Sequence, residues 1–517
     1  MPRSLRSLVL LYLLGACGGT ETPSSTSAPA TGAAPPNGAL NAELFSEPQE
    51  YRAQPPSAEL GHRFFAEWGV GDPYGAGIPY PIYRAWMAEM PEVFGASFGE
   101  LADRYGFVRD PENPDGLPVG FHLTRDPNTD VDFVMSNCQT CHAGRVRTAD
   151  GERVIEGLGN RQVRIHAYAY AFAQLAAHER FTYADVASAA AREARRHNLA
   201  WPPQFRGALV RGTVDAVRAR FEPHEAELAR LAEGLPGRVA TIEGFSLAME
   251  HAYGAELPLP EVPGWTRIPD IVVARHRETG SFDGVSVGAP AALAVGADLA
   301  VGVRPRWFEE HPHIATSMFL YMRTFERELP FPGPINEALA STGYDAFEQR
   351  CAGCHGHYAR PGESPRVSYR ERIVSAEVVG TDRARLDAVT DAFVEASNAV
   401  DMTRGLIHTR RTNGWVPRPL IQVWARGHYG HAGQWPDLAT IATPPEERPV
   451  RFIVAPGAPM NLERVGQAWR PADDTPPGND EYLYDGARPG HGVQGHAFLS
   501  RAPENERRAI LEYLKTL

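Results

Sequence analysis

The chain has 517 residues, of which 43% are apolar and 22% are charged, and its formal net charge is −12. This composition is globular and excludes a disordered or fibrous chain. At about 100–200 residues per domain, the length predicts two or three domains. Because an acidic chain without a basic stripe does not suit nucleic-acid binding, we expect no nucleic-acid partner.

The N-terminus has the features of an export signal. Arg3 and Arg6 precede the apolar run Leu8–Leu14, which is too short to span a bilayer. The run ends in Leu14-Gly15-Ala16-Cys17, which resembles the bacterial lipobox. An ordinary cleaved signal is the alternative. We therefore predict a lipoprotein signal peptide at 1–17, lipidation of Cys17, and a location on the periplasmic side of the outer membrane or on the cell surface, with membrane contact only through the lipid anchor. Residues 18–45 are small, polar and proline-rich, which predicts a flexible tether.

The four cysteines after Cys17 form two identical motifs. These are Cys138-Gln139-Thr140-Cys141-His142 and Cys351-Ala352-Gly353-Cys354-His355. C-x-x-C-H is the attachment pattern of c-type haem: two thiols one helical turn apart reach the two vinyl groups, and the histidine becomes the proximal iron ligand. A Cys₄ zinc site, two disulfides or a thioredoxin-like redox pair would use the same cysteines, but none explains a histidine after both pairs. The motifs predict two covalently bound haem c groups.

The two motifs lie far apart and have different surroundings. Gly343, Phe347 and Cys351 share one helical face, and Arg501–Leu517 has an apolar face at helical spacing. This arrangement looks like the first and last helices of a class I cytochrome c. Before the first motif, residues 131–135 alternate like a strand. Further helices are predicted over residues 161–198, 205–234 and 308–327. We predict a mainly α fold with little β and long loops, made of two c-type cytochrome-like haem domains at 46–332 and 333–517.

Several segments resemble the bacterial di-haem cytochrome c peroxidase superfamily, and within it the branch of di-haem rubber oxygenases. The resemblance runs from about residue 70 to the end of the chain. The segments that carry it are 77–80, 104–107, 116–121, 282–284, 380–382, 418–425, 428–433, 444–449 and 495–496.

The resemblance implies an axial ligand for the second haem from the loop before the last helix. His496 occupies the matching position and is our first candidate. His431 is the second, although we interpret it as a structural histidine near a haem edge, and Met460 is the third. His491 also lies close to His496 in the sequence. The resemblance also allows a bound calcium ion.

No residue stands out as a second ligand for the first haem, and His166 and His178 are weak candidates. The segment 282–292, where peroxidases of the superfamily place an amide and a carboxylate, offers no Gln or Glu, which favours an apolar, oxygenase-like pocket. The tryptophan expected between the haems is missing from residues 268–273, with Trp265 and Trp307 flanking this stretch.

These observations lead to one functional hypothesis and two alternatives. In the first, the chain is an oxidoreductase in which the haem of His142, the predicted catalytic residue, activates O₂ or H₂O₂ and the haem of His355 and His496 transfers or stores electrons. Its partners would be a small redox protein or another electron donor or acceptor, and an apolar organic substrate. The alternatives are a non-catalytic, lipid-anchored electron-transfer cytochrome, and a structural lipoprotein in which haem only stabilises the fold.

Overall fold

The computed structural model describes residues 51–254, 257–288, 302–326, 329–399, 407–473 and 475–517. The predicted signal peptide, Cys17 and the tether lie outside the described residues. The described residues belong to one contact unit, and the boundary at residue 332 stays a prediction.

The expected mainly α fold with little β was wrong. The chain is 43% helix and 14% strand, a mixed α/β architecture with several small antiparallel sheets. Most of these strands have only two to four residues. A strand of that length is too short to show a clear alternation of apolar and polar side chains, so the sequence did not reveal them. The longer hairpins border the first C-x-x-C-H motif.

The helices of the first part of the chain precede and follow the first motif. They are α1 Ala58–His62, α2 Pro73–Ala76, α3 Tyr80–Glu89, α4 Pro91–Phe94, α5 Phe98–Tyr105, α6 Gln139–His142, α7 Ile165–Ala177, α8 Tyr183–His197, α9 Pro203–Phe221, α10 Glu225–Ala232, α11 Thr241–Tyr253, α12 Pro305–Glu310 and α13 Pro312–Thr324. A π-helical turn, Arg63–Glu67, follows α1, and short 3₁₀ turns span Glu222–His224 and Ala274–His276.

The second part of the chain has seven helices among its described residues. They are α14 Glu337–Arg350, α15 Ala352–His355, α16 Ala376–Val379, α17 Ala384–Asp387, α18 Asp391–Ala399, α19 Leu438–Ala442 and α20 Glu504–Leu514, with 3₁₀ turns at Val423–Arg426 and Pro445–Glu447.

The strands pair only in antiparallel fashion. They are β1 Ile78–Pro79, β2 Phe121–Asp126, β3 Val131–Ser136, β4 Ala143–Thr148, β5 Gly151–Glu156, β6 Arg238–Ala240, β7 Trp265–Arg267, β8 Ser286–Gly288, β9 His357–Tyr358, β10 Val367–Ser368, β11 Val374–Ser375, β12 Ile407–Thr409, β13 Gly414–Trp415, β14 Arg451–Val454, β15 Trp469–Pro471 and β16 Tyr482–Asp485. The two three-stranded sheets have the orders β1-β3-β2 and β15-β14-β16.

Each long helix predicted from the sequence is split in two by local chemistry. The stretch 161–198 breaks at His178, whose backbone is extended, and the side chain of Thr182 caps the next helix by accepting from the amide of Asp185. The stretch 308–327 breaks at His311, immediately before Pro312, because proline disfavours helical geometry in the residue before it.

Helices α14 and α20, which the sequence predicted, pack closely against each other. At Gly343 a side chain would overlap the backbone carbonyl of Ala509, so only glycine allows this approach. The ring of Tyr513 in α20 packs against two rings of α14. Its centroid lies 5.3 Å from that of Phe347 and 5.6 Å from that of Tyr344. The crossing places Phe347 and the last turn of α20 beside the second C-x-x-C-H motif.

Within the part of the chain that the structure describes, no helix combines the length and the apolar character that a membrane span requires.

Candidate functional site

The second C-x-x-C-H motif opens onto a large cavity. Its volume is about 1370 Å³, which includes space open to solvent. Both cysteines and the histidine of the motif line it, together with Phe347 and Leu514 from the crossing of α14 and α20. The cysteines are free thiols, and burial raises the pKa of Cys351 to about 12. The motif therefore presents two thiols and an imidazole to one apolar space.

His355 is fixed by a hydrogen bond on the side away from the cavity. Its Nδ1 donates to the backbone carbonyl of Arg418 at 2.8 Å, which leaves Nε2 as the nitrogen available to a ligand. Burial lowers the pKa of His355, so the ring is neutral. A neutral imidazole whose other nitrogen donates to a carbonyl is the usual state of a metal-ligating histidine.

His496 lies across the cavity from His355. The centroids of the two imidazole rings are 6.2 Å apart. Nδ1 of His496 is buried without a hydrogen-bond partner, and burial lowers the pKa of His496 to about 3. Metal–imidazole bonds of about 2 Å place the centroids of two rings that share one metal ion about 6 Å apart. The spacing therefore suits one iron between the two rings.

The loop that carries His496 is held by segments that are distant in sequence. Gly495 lies so close to the backbone of Gly380 that a side chain would overlap it, and the amide of His496 donates to the carbonyl of Val379 at 2.6 Å. The guanidinium of Arg448 donates to the carbonyl of Gly495 at 2.6 Å, and also to the carbonyls of Val493 and Ile441. Segments 380–382, 444–449 and 495–496, which carried the family resemblance, thus meet at this histidine.

The other candidate ligands of the second haem are placed differently. His431 lines the same cavity, but its ring stacks on Trp415 with centroids 4.0 Å apart, an arrangement typical of packing. Met460 and His491 are buried and are not among the residues that line the cavity. Nδ1 of His491 instead donates to the carbonyl of Pro489.

The cavity wall carries positive charge and unsatisfied polar atoms. Its charged side chains among the described residues are four arginines, Arg267, Arg350, Arg418 and Arg426. Nε and Nη1 of Arg418, Nε2 of Gln434 and Oγ1 of Thr381 are buried without hydrogen-bond partners. An unsatisfied buried donor costs about 1–3 kcal/mol, so hydrogen-bond acceptors placed in the cavity would stabilise these atoms.

Three of these arginines also surround a buried carboxylate. Asp270 lies 3.6 Å from Arg418, 3.3 Å from Arg426 and 3.7 Å from Arg267, and its side chain is 0% exposed. Burial alone would raise the pKa of Asp270, but the three guanidinium groups hold it well below its ordinary value. The carboxyl group is therefore ionised. In the sequence, residues 268–273 stood out only for the missing tryptophan, and nothing there indicated a role for Asp270.

The first C-x-x-C-H motif sits between two β-hairpins. β3 leads into it, α6 carries its histidine, and β4 leaves it. Burial lowers the pKa of His142 to about 4, partly offset by the nearby carbonyl of Pro269 and by Asp270. The side chains of both motif histidines are thus neutral, but their surroundings differ.

The aromatic side chain next to His142 is a phenyl ring, whereas the ring next to His355 is an imidazole. The ring centroid of Phe65 lies 6.4 Å from that of His142. Phe65 belongs to the π-helical turn Arg63–Glu67, closed by a hydrogen bond from the amide of Trp68 to the carbonyl of Arg63. π-turns are rare and are often found at functional sites. A phenyl group cannot ligate iron, and no pattern in the sequence indicates this contact.

A polar cluster lies next to Phe65. The ring centroids of Phe65 and Tyr321 are 5.2 Å apart, and the hydroxyl of Tyr321 donates to the carboxylate of Glu156. His62 and Gln139, the latter inside the first motif, also bind this carboxylate, at 3.3 and 3.2 Å. The cluster therefore joins the motif to the helix that carries Phe65.

The weaker candidates for the first haem have other partners. Nε2 of His166 accepts from the amide of Ala240 at 2.9 Å, and Nδ1 of His178 accepts from the amide of Arg180 at 3.2 Å. Trp265 packs against His166, and Trp307 stacks on His311 with centroids 4.8 Å apart. These contacts are structural.

Phe282 lines the cavity of the second motif, whereas the resemblance implied a position over the first haem. Its ring lies 5.0 Å from the guanidinium carbons of both Arg267 and Arg418. Asp283 pairs with Arg385 at 2.8 Å, and residues 289–292 of this segment lie outside the described residues.

Among the described residues, no three His, Cys, Asp or Glu side chains form a group that could hold an isolated metal ion. The two cysteine pairs therefore do not form the single four-sulfur site that a shared zinc ion needs. The described residues form no such group for a calcium ion either, and calcium binding stays a prediction.

Comparison with known proteins does not assign a family. No family model matches the chain. The uncharacterized protein y4iJ of Sinorhizobium fredii is 25% identical over 244 residues, which cover 36% of this chain and 40% of that protein. The chain thus matches less than half of the length of this relative.

Proposed function

We propose that the chain is an exported di-haem c-type cytochrome with oxidoreductase activity. The observation that carries the proposal is the pair of imidazoles of His355 and His496, 6.2 Å apart across an apolar cavity next to two free thiols. Haem would be held there by thioethers to Cys351 and Cys354 and by the two histidines. The unsatisfied donors of Arg418, together with the unbalanced positive charge of the wall, suit the carboxylates of haem.

The two motifs support different tasks. A haem iron with two strong axial ligands carries electrons, whereas one with an open position binds and reduces O₂ or H₂O₂. His355 and His496 provide two imidazoles, whereas His142 faces the phenyl ring of Phe65. The first motif, with Cys138, Cys141 and His142, is therefore the proposed reaction site.

The residues around the motifs position and shield these groups. The carbonyl of Arg418 fixes the tautomer of His355 and raises its basicity as a ligand. Phe65 excludes water from the face opposite His142, while Tyr321 and Glu156 hold a proton in a hydrogen bond beside it. Export, lipidation of Cys17, a small redox partner and an apolar organic substrate remain part of the proposal on the evidence of the sequence.

Electron paramagnetic resonance of the oxidised, matured protein tests this proposal. We expect two haems per chain by the pyridine haemochrome assay, one high-spin and one low-spin. His496→Ala should convert the low-spin signal to high-spin, whereas the control His491→Ala, a buried histidine outside the cavity lining, should not. Fewer than two haems would refute the proposal. Two low-spin irons in the wild type would instead support the non-catalytic electron-transfer alternative.

A further inference from the structure

A short polar connection joins the histidines of the two motifs. Nδ1 of His355 donates to the carbonyl of Arg418 at 2.8 Å, and Nη2 of Arg418 donates to the backbone carbonyl of Asp270 at 2.7 Å. On the other side, the amide of Ile271 donates to the carbonyl of Gly157 at 2.7 Å, and the amide of Gly157 donates to the carbonyl of His142 at 2.8 Å. The Asp270–Ile271 peptide unit therefore reaches the backbone of His142 through Gly157 and the imidazole of His355 through Arg418.

Stability alone does not explain the charges at this connection. The carboxylate of Asp270 and the guanidinium groups of Arg418 and Arg426 are buried, and the ion pairs are 3.3–3.6 Å long without well-formed hydrogen bonds between the charged groups. Buried ion pairs of imperfect geometry often contribute less to stability than apolar side chains of the same size.

We propose that Asp270 and Arg418 are positioning residues that hold the two motif histidines and tie the reduction potentials of the two haems to one buried charge. This inference rests on the proposed function. Arg418 fixes the ring of His355 through its carbonyl and anchors its own side chain on Asp270, while the peptide that follows Asp270 is hydrogen-bonded through Gly157 to the backbone of His142. A change of charge at Asp270 therefore acts on both irons.

The test measures the midpoint potential of each haem by spectroelectrochemical titration of the matured full chain. In Asp270→Asn we expect both potentials to shift in the positive direction, because removing a buried negative charge disfavours the oxidised, more positive iron. The matched control is Asp72→Asn. Asp72 is also a buried carboxylate, but its hydrogen bonds go to Arg304 and to the amide of Gly75, so both potentials should stay unchanged.

A second variant keeps the inference testable if Asp270→Asn does not fold. Arg426→Gln removes a positive charge beside the same carboxylate, so both potentials should shift in the negative direction. Potentials that change for one haem only, or for neither, in a variant that retains two haems would overturn the inference alone. A wild-type protein with fewer than two thioether-bound haems would instead refute the proposed function.

Discussion

The crossing of α14 and α20 gives a sharp prediction about how the second cavity is built. Gly343→Ala adds a methyl group that would overlap the carbonyl oxygen of Ala509. Because ordinary contact between a methyl carbon and its neighbour begins at 3.4 Å, the two helices must separate by about 1.5 Å. Overpacking of this kind costs about 1–3 kcal/mol. The aromatic contacts of Tyr513 with Phe347 and Tyr344 would also weaken, each contributing about 0.5–1.5 kcal/mol.

The gain in helix propensity offsets part of this cost. Alanine is favoured over glycine inside a helix by about 1 kcal/mol, so we expect a net loss of about 2 kcal/mol in the free energy of unfolding. Gly207→Ala is the matched control, because Gly207 is exposed in α9 and its nearest neighbouring atom is 3.9 Å away. This variant should gain about 1 kcal/mol.

Urea unfolding of the full chain, followed by far-ultraviolet circular dichroism, measures both variants. The pyridine haemochrome assay of each sample then reports haem content, which we expect to fall in Gly343→Ala because Phe347 and Leu514 line the cavity. If Gly343→Ala were as stable as Gly207→Ala, the close contact of the two helices would be refuted.

Three further predictions concern single buried groups. Arg448→Gln should lower the free energy of unfolding by about 2 kcal/mol, because charged hydrogen bonds to several carbonyls are lost, and urea titration would show no change if these bonds were unimportant. Asp283→Asn leaves Arg385 buried without its ion pair and should cost about 3 kcal/mol in thermal unfolding; the exposed Asp387→Asn should cost less than about 0.5 kcal/mol. Burial lowers the pKa of His166 to about 4, so unfolding takes up a proton between about pH 4 and 6.5. The contribution of the neutral imidazole to the free energy of unfolding is fully present above this range and is lost as the pH falls through it. Within this range the free energy of unfolding changes by about 1.4 kcal/mol per pH unit for one proton. His166→Gln should therefore reduce the dependence of the free energy of unfolding on pH by that amount.

The sequence singled out the residues that the structure brings together around the second motif. The C-x-x-C-H spacing marked His355, the family resemblance marked His496, and the two rings lie 6.2 Å apart, while haem attachment stays a prediction. Helices with caps and apolar periodicity were also visible, although their breaks at His178 and His311 depend on local backbone geometry. The short strands were missed because two to four residues carry little periodicity.

The remaining parts of the site depend on contacts between residues that are far apart along the chain. Asp270 meets Arg418 only after folding, and Phe65 reaches His142 from a different element. In the sequence, Asp270 is a single charge in an apolar stretch, which marks a buried ion but not its partners. Arg448 lay in a segment of resemblance, yet its role in holding the loop of His496 could be read only from the structure.

The π-helical turn at Arg63–Glu67 has a consequence for how related chains are compared. Each residue added to or removed from a helix rotates the following side chains by about 100°, so deleting one residue there would turn another face toward His142 and move Phe65 away. The side chain next to His142 is thus determined by the backbone register of this turn as much as by the amino acid at position 65. Two chains that differ by a single gap in this turn would therefore differ in what can approach His142, even with identical residues elsewhere.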